Sequence, residues 1–214
     1  MYYFFILICM AVIAVFDMIF AAPVFGFDAK YVVLGVILNV VAVIAADGIT
    51  AFVIRWLLPK KWFDGDKGGF AAGKKEARFL EKTGIKKWKD RIPELGMFTA
   101  FRKNKISDPK NNEYVKRYIL EANYGVAIHA ASMLAGFVII FLAPEYKWCF
   151  GVPVAIVNAV YNGLSLAILR YNLPKLHRLY KINEKTAARR LRTASPAAPA
   201  ESSEDEVAVG TTGE

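Results

Sequence analysis

The chain has 214 residues, of which 56% are hydrophobic, and its 15 Phe give it more apolar surface than a soluble domain of this length needs. The net charge of +9 comes without a nucleic-acid-binding motif, so it points to anionic lipid headgroups or phosphate-bearing substrates rather than nucleic acid. The two Cys and two His are too scattered for a disulfide framework or for a zinc or iron site, so we expect no bound metal.

Four apolar runs are long enough to be transmembrane helices, at residues 2–25, 31–58, 118–143 and 148–169. The first run lacks a basic start and is too long for a signal peptide, so we interpret it as a retained span. The sequence therefore predicts an all-α integral-membrane bundle of four transmembrane helices over residues 1–193. Residues 194–214 are rich in Ala, Pro, Ser, Glu and Gly, which predicts a disordered tail.

Basic residues are unevenly distributed between the connections. The loop of residues 59–117 contains 17 Lys and Arg against 8 Asp and Glu, and the stretch from Arg170 onward contains 8 more basic residues. The two short connections have one Lys each. The positive-inside rule then places this loop and both termini in the cytoplasm of a multi-pass protein of the cell membrane. Nothing in the sequence indicates an oligomeric state.

The first two spans contain polar residues at membrane depth. Asp17 in the first span and Asn39 in the second lie at similar depths, so we expect them to satisfy each other. On a helix wheel, Asn39, Asp47 and Thr50 lie within about 80° of one another. The second span is therefore predicted to have one polar face.

The basic loop has its own pattern. Residues 71–82 favour a short amphipathic helix, whose apolar side chains could dip into the headgroup region. The sequence IKKWKDRIP follows at 85–93, and FRKNK at 101–105. Taken alone, these basic clusters indicate a solvated surface close to the lipid headgroups.

The third span has a narrow stripe of polar and small residues. Glu121, Gly125, His129, Ser132 and Gly136 fall within an arc of about 80°, opposite a face of aliphatic side chains. Ionisable side chains at this depth are costly, so they call for a functional hypothesis. Glu121 cannot pair with His129, since eight helical residues separate them by about 12 Å.

The fourth span has a matching stripe. Asn158, Asn162 and Ser165 recur at i, i+4 and i+7 on one face. The span is followed by RYNLPKLHRLYK at 170–181, where Pro174 is expected to prevent a simple continuation of the helix.

Four polar residues on three spans lie at one depth. Asp47, His129, Asn158 and Asn162 are all about 12–18 Å from the cytoplasmic end of their helices at 1.5 Å per residue. An Asp beside a His fixes the tautomer of the ring and stabilises the imidazolium, as a general base requires. These four residues are therefore a candidate catalytic site, and the alternative is a purely structural polar network.

Three motifs, in order, resemble one known family: IKKWKDRIP at 85–93, Glu121 followed by His129, and Asn162 followed by RYNLPKL. Over residues 75–181 the chain resembles glycosyl-4,4'-diaponeurosporenoate acyltransferase, an integral-membrane enzyme of carotenoid biosynthesis. The resemblance implies transfer of a fatty acyl group onto a sugar hydroxyl of a membrane glycolipid. It singles out the following positions: Trp88, Lys89, Glu121, His129, Asn162, Arg170, Tyr171 and Asn172.

Two positions depart from the family pattern. The family typically has an Arg where Tyr124 stands and an acidic residue where Val126 stands. That acid would lie at i, i+3 to His129, close enough to pair with it. Our hypothesis is that Asp47, from the second span, supplies the missing carboxylate.

These observations predict a membrane O-acyltransferase with catalytic His129, Asp47 and Glu121. His129 is expected to take the sugar proton, and Asn158 or Asn162 to donate to the developing oxyanion. We expect no bound cofactor and an acyl thioester such as acyl-CoA as co-substrate, with Lys87, Lys89 and Arg170 holding its phosphates. Trp88, Tyr171 and Asn172 complete the predicted substrate-binding residues. The alternative is a lipid-binding or lipid-translocating protein without catalysis, or a scaffold whose polar stripes join helices.

Overall fold

The computed structural model describes residues 2–64, 69–92 and 106–194, and all regular structure in these ranges is helical. The helices are α1 (Tyr2–Phe20), α2 (Ala22–Phe25), α3 (Ala29–Phe52), α4 (Lys74–Lys82), α5 (Ile85–Trp88), α6 (Asn112–Ala135) and α7 (Gly151–Ala194). Short 3-10 turns cover Lys60–Trp62, Gly136–Phe141 and Pro144–Tyr146. The predicted all-α class is confirmed. The tail after residue 194 and the FRKNK segment lie outside the described residues.

Three of the helical stretches are long and apolar enough to cross a membrane. They are Ala29–Leu57, Asn112–Phe141 and Gly151–Thr193, and a shorter apolar helix covers Phe4–Phe20. The first continues α3 as a π-helical turn over Val53–Leu57, and the second continues α6 as a 3-10 turn. Four apolar helical stretches are therefore present among the described residues. The first, predicted over 2–25, is divided between α1 and α2, and the fourth, predicted to end at residue 169, continues to Ala194.

Two clusters of buried side chains hold the bundle together. One cluster joins α1, α3, the 3-10 turn after α6 and the start of α7 near the two short connections. The other joins the first half of α6 to α7 around Leu173, against the segment that precedes α4. Helices α6 and α7 form the most extensive pair in the bundle. Many aliphatic and aromatic side chains on the outside remain exposed, as a helix surrounded by lipid requires.

The expected pairing of Asp17 with Asn39 is wrong. The Asn39 side-chain amide donates instead to the Gly35 carbonyl of its own helix, at 2.9 Å. Asp17 is only 1% exposed, and neither of its carboxylate oxygens has a hydrogen-bond partner among the described residues. An Asn side chain on a helix can donate to the carbonyl one turn back, so matching depth alone does not produce a pair.

The helix end predicted at Pro174 is also wrong, because α7 continues through this residue to Ala194. Proline lacks the N–H that would bond the carbonyl of Arg170, four residues earlier. The backbone N–H of Ala72 takes its place and donates to that carbonyl at 2.9 Å. The loop therefore satisfies the group that the proline leaves free.

Candidate active site

The four polar residues predicted at one depth meet at the centre of the bundle. Asp47 comes from α3, His129 from α6, and Asn158 and Asn162 lie one turn apart on α7. Both asparagines are at least nine-tenths buried, and the other two residues are half-buried. The large α6–α7 contact and the packing of α3 across both helices bring the three polar faces together.

A chain of hydrogen bonds connects the carboxylate to the imidazole through Asn162. The Nδ2 of Asn162 donates to Oδ2 of Asp47 at 3.1 Å, and its Oδ1 lies 2.7 Å from Nδ1 of His129. A carboxylate can only accept, so the amide must turn its NH₂ group toward Asp47 and its oxygen toward the ring. The His129 proton is consequently on Nδ1, which leaves the lone pair of Nε2 free.

This arrangement differs from direct pairing of Asp47 with His129. Asn162 contacts the ring, and the carboxylate fixes the orientation of Asn162 from behind. Neighbouring polar residues stay out of the network, since Thr50 donates to the Ala46 carbonyl of its own helix at 2.8 Å. Among the described residues of the predicted polar face on α3, Asp47 alone forms side-chain hydrogen bonds to another helix.

Asn158 occupies the other side of the carboxylate. Its Nδ2 donates to Oδ1 of Asp47 and to the backbone carbonyl of Ser132, both at 3.3 Å, and its Oδ1 accepts from Asn162 at 3.0 Å. Gly136 makes this position possible, because a Cβ atom there would overlap the Asn158 amide nitrogen. The two hydrogen bonds that Asn158 donates are long, so its amide can exchange a partner more easily than the amide of Asn162.

Glu121 lies outside the network. Its carboxylate forms an ion pair with Arg55 at 2.8 Å, and the Arg55 guanidinium lies 5.4 Å from the ring centre of Tyr124. Tyr124 stands where the resemblance implies an Arg, so Arg55 from the turn after α3 brings a guanidinium to the same place. Val126, where the resemblance implies an acid, is buried in the apolar cluster between α6 and α7.

Arg170 holds the loop and is not a free cation. It donates to both carboxylate oxygens of Glu76 at 2.6 Å and to the carbonyl of Gly69 at 2.7 Å. Longer bonds join it to the carbonyls of Phe70 and Ala71. These contacts use its donors, so Arg170 anchors the loop to α7 and is a weak candidate for a phosphate ligand.

The other family positions surround Tyr171, next to Arg170. The Tyr171 hydroxyl donates to Glu81 at 3.1 Å, and its buried ring packs in a cluster with Leu80, Ile85 and Trp88. The Trp88 indole N–H donates to the Thr83 carbonyl. Lys87 is exposed, and Lys89 and Asn172 are half-buried.

Ion pairs lower the pKa values of two loop carboxyls. The Arg170 guanidinium hydrogen-bonded to Glu76 lowers the pKa of that carboxyl below 4.5. Lys86, 3.0 Å away, and the Tyr171 hydroxyl lower the pKa of Glu81. Both carboxyls are therefore charged at neutral pH, and both hold α4 against α7.

Three residues with clear structural roles at this site were missed as partners. Glu76 and Arg55 are two charges among many near the predicted membrane boundary, and no sequence spacing connects them to Arg170 or Glu121. Gly136 belonged to the predicted stripe, and its position four residues after Ser132 on the same face was the available signal. Its contact with Asn158 required the helix pairing.

One comparison with known proteins gives a match. The profile of the family described as glycosyl-4,4'-diaponeurosporenoate acyltransferase matches residues 59–182, which is more than half of the chain. No curated protein and no solved structure matches it. The match includes His129, Asn158, Asn162 and the loop anchored by Arg170, whereas Asp47 lies before it. The chain therefore belongs to the glycosyl-4,4'-diaponeurosporenoate acyltransferase family and is an acyltransferase.

Proposed function

We propose that this acyltransferase moves a fatty acyl group from an acyl thioester, such as acyl-CoA, onto a sugar hydroxyl of a membrane glycolipid. The acceptor is a carotenoid glycoside or another glycolipid, and His129 is the general base. The observation that carries the proposal is the 2.7 Å contact between His129 Nδ1 and Asn162 Oδ1, with Asn162 held in turn by Asp47. Family membership supports the reaction class.

The proposed reaction begins at the free Nε2 of His129. This nitrogen takes the proton of the sugar hydroxyl while the oxygen attacks the thioester carbonyl carbon. The positive charge on the imidazolium is stabilised by Asn162 Oδ1 and by the negative charge of Asp47 behind it. Collapse of the tetrahedral intermediate breaks the C–S bond, and the departing thiolate takes the proton from Nε2. The products are an ester and a free thiol, and His129 returns to its starting state.

Asn158 is the residue that we assign to the oxyanion. Its amide has two long donor bonds, to Asp47 and to the Ser132 carbonyl, and one of these can be exchanged for the developing negative oxygen. Asn162 cannot leave its place without releasing the ring. An amide that donates to the oxyanion contributes about 10²–10³-fold to the rate of acyl transfer.

The site lies within the membrane-spanning part of the bundle, near the basic loop. We propose that the loop and both termini face the cytoplasm, since the short connections carry few basic residues. Lys87 and Lys89 would then lie among anionic headgroups and within reach of donor phosphates. Glu121 and Arg55 would form part of the rim through which substrates enter.

The proposed function is tested by mass spectrometry of membrane lipids from cells with and without the chain. The expected result is a glycolipid that gains the mass of one fatty acyl unit only when the chain is present. Cells that contain well-folded protein and an identical glycolipid profile would rule out this activity in that membrane.

Variants then test the assigned chemistry. His129→Ala is expected to lower acyl transfer by about 10²–10⁴-fold, the usual contribution of a general base. Asp47→Asn keeps the shape of the side chain but removes the charge that orients Asn162, so it should also lower activity substantially. His177→Ala is the control, since this second His lies on the extension of α7 beyond Pro174. Full activity of Asp47→Asn beside an inactive His129→Ala would refute the role of Asp47.

A further inference from the structure

An apolar cleft opens between α1, α3 and α7 and leads to the Asp47 network. Its walls include Met10 and Ile13 from α1, Val40 and Val43 from α3, and Val154 and Val157 from α7. The residues that line it also include Asp47, Asn158, Tyr161 and Cys9. We call it the α1–α3–α7 cleft.

The carboxylate of Asp47 and the amide of Asn158 lie at the same end of the cleft. On α3, Val40, Val43, Ile44 and Asp47 line it at i, i+3, i+4 and i+7, which is one face of a helix. On α7, Val154 and Val157 precede Asn158 and Tyr161 in the same direction along the bundle. An occupant therefore has an apolar body along the valines and a polar head at Asn158.

We propose that the α1–α3–α7 cleft binds the fatty acyl chain of the donor, with the thioester carbonyl at Asn158. The proposal rests on the proposed function, because it assumes that the donor is an acyl thioester. A thioester has its carbonyl joined directly to a methylene chain, which matches a polar end that continues at once into an apolar wall. A sugar does not fit, because its hydroxyls would lie against valines without hydrogen-bond partners.

The tail of the acceptor glycolipid fits less well than the acyl chain. In the acceptor, the sugar ring separates the apolar tail from the reacting hydroxyl. A tail that filled the cleft up to Asn158 would hold this hydroxyl away from the network by the width of the sugar. The acyl chain has no such spacer, so its reacting carbon and its apolar body can be in place together.

The cleft also predicts where a blocked chain would stop. Val40 lies seven residues from Asp47 on α3, or about 10 Å along the helix. An extended chain advances about 1.3 Å per carbon from ordinary bond lengths and angles, so roughly eight carbons span this distance. A bulky side chain at Val40 would leave room for chains of about that length and exclude longer ones.

Two adjacent valines provide a matched test. Val40 lines the cleft, whereas Val41 is 58% exposed on the outer face of α3 at nearly the same depth. Val40→Phe is expected to shift the acyl groups of the product glycolipid from chains longer than ten carbons toward octanoyl and decanoyl, by at least tenfold in the ratio of the two classes. Val41→Phe should leave this ratio unchanged. A folded Val40→Phe protein that keeps the wild-type ratio, or an equal shift in both variants, would overturn the proposal.

Photolabelling tests the same site without turnover. Purified protein is irradiated with palmitoyl-CoA that has a diazirine near the middle of its chain, and the labelled peptides are mapped by mass spectrometry. The expected labels lie on cleft residues of α1, α3 or α7 and disappear with excess unlabelled palmitoyl-CoA. The proposal would be overturned by labels outside the cleft or by labels that persist in excess unlabelled palmitoyl-CoA. It would also be overturned if only a diazirine in a glycolipid tail labelled the cleft. If excess palmitoyl-CoA removes the cleft labels but cells make no acylated glycolipid, the acyl-binding site is retained and the proposed function is rejected.

Discussion

Gly136→Ala tests the link between a helix contact and the proposed chemistry. The new methyl group would overlap Asn158 Nδ2 and would lie 3.2 Å from Cγ2 of Val43. The Asn158 amide is the side chain that can move, because it is attached through two rotatable bonds. We expect it to turn away and to lose its bonds to Asp47 and to the Ser132 carbonyl.

The effects on stability and on rate should differ in size. Both lost bonds are 3.3 Å long, so together they contribute about 1–2 kcal/mol to the free energy of unfolding. Replacing Gly by Ala in helical structure raises the free energy of unfolding by up to about 1 kcal/mol. The net loss of stability is therefore about 1 kcal/mol, whereas removal of an oxyanion donor lowers kcat by about 10²–10³-fold.

The assay measures acyl transfer and thermal unfolding of the purified variant in parallel. Gly48→Ala is the control, since a Cβ there has no neighbour within 4 Å although Gly48 lies next to Asp47 in the sequence. The control should keep wild-type activity. A folded Gly136→Ala protein with wild-type kcat would refute the role assigned to Asn158.

Three further predictions concern the base and the loop. Asn162→Leu removes the hydrogen-bond acceptor for His129 Nδ1. In steady-state kinetics we expect kcat to fall by about 10²-fold or more, with little change in KM for the donor. An unchanged kcat would contradict the assigned tautomer. Arg170→Met should lower the stability of loop docking by about 2 kcal/mol, seen as faster protease cleavage within residues 69–92, while equal cleavage would refute the anchor. The ion pair with Arg170 lowers the pKa of Glu76 in the folded state, so the stability that it contributes is complete above pH 4.5 and is lost as the pH falls through the lowered pKa. Cleavage of this segment should therefore rise in acid. Glu76→Gln should reduce that rise without abolishing it, because the pKa of Glu81 in the same segment is also lowered.

The sequence predicted well the parts of the fold that follow from hydrophobic periodicity. Apolar runs predicted the helices of the bundle, because long stretches without charge have few alternatives in lipid. The common depth of Asp47, His129, Asn158 and Asn162 followed from the helix rise and the topology, and the structure brings all four together.

The contacts within the site were harder to predict. Which atom faces His129 depends on the rotation of α7 by a fraction of a turn, and sequence spacing does not determine this rotation. The helix end predicted at Pro174 was wrong for a different reason. The rule that proline ends a helix assumes that the carbonyl four residues earlier stays without a hydrogen-bond donor. Here Ala72, about 100 residues earlier in the chain, supplies the missing donor. Predicting this bond would have required the position of the loop.

Helix α7 connects the loop to the polar network. Asn162 and Arg170 are separated by eight residues, or about 12 Å of continuous helix. Arg170 fixes the loop through its guanidinium and, because of Pro174, also through its backbone carbonyl. The position of the loop relative to Asn162, which contacts His129, is therefore set by one continuous helix. The family match covers this whole unit, but the carboxylate that orients Asn162 comes from Asp47, before the match begins. The network is thus completed by a helix outside the matched segment: with Val126 apolar, it is Asp47 that joins the imidazole to a carboxylate, through Asn162.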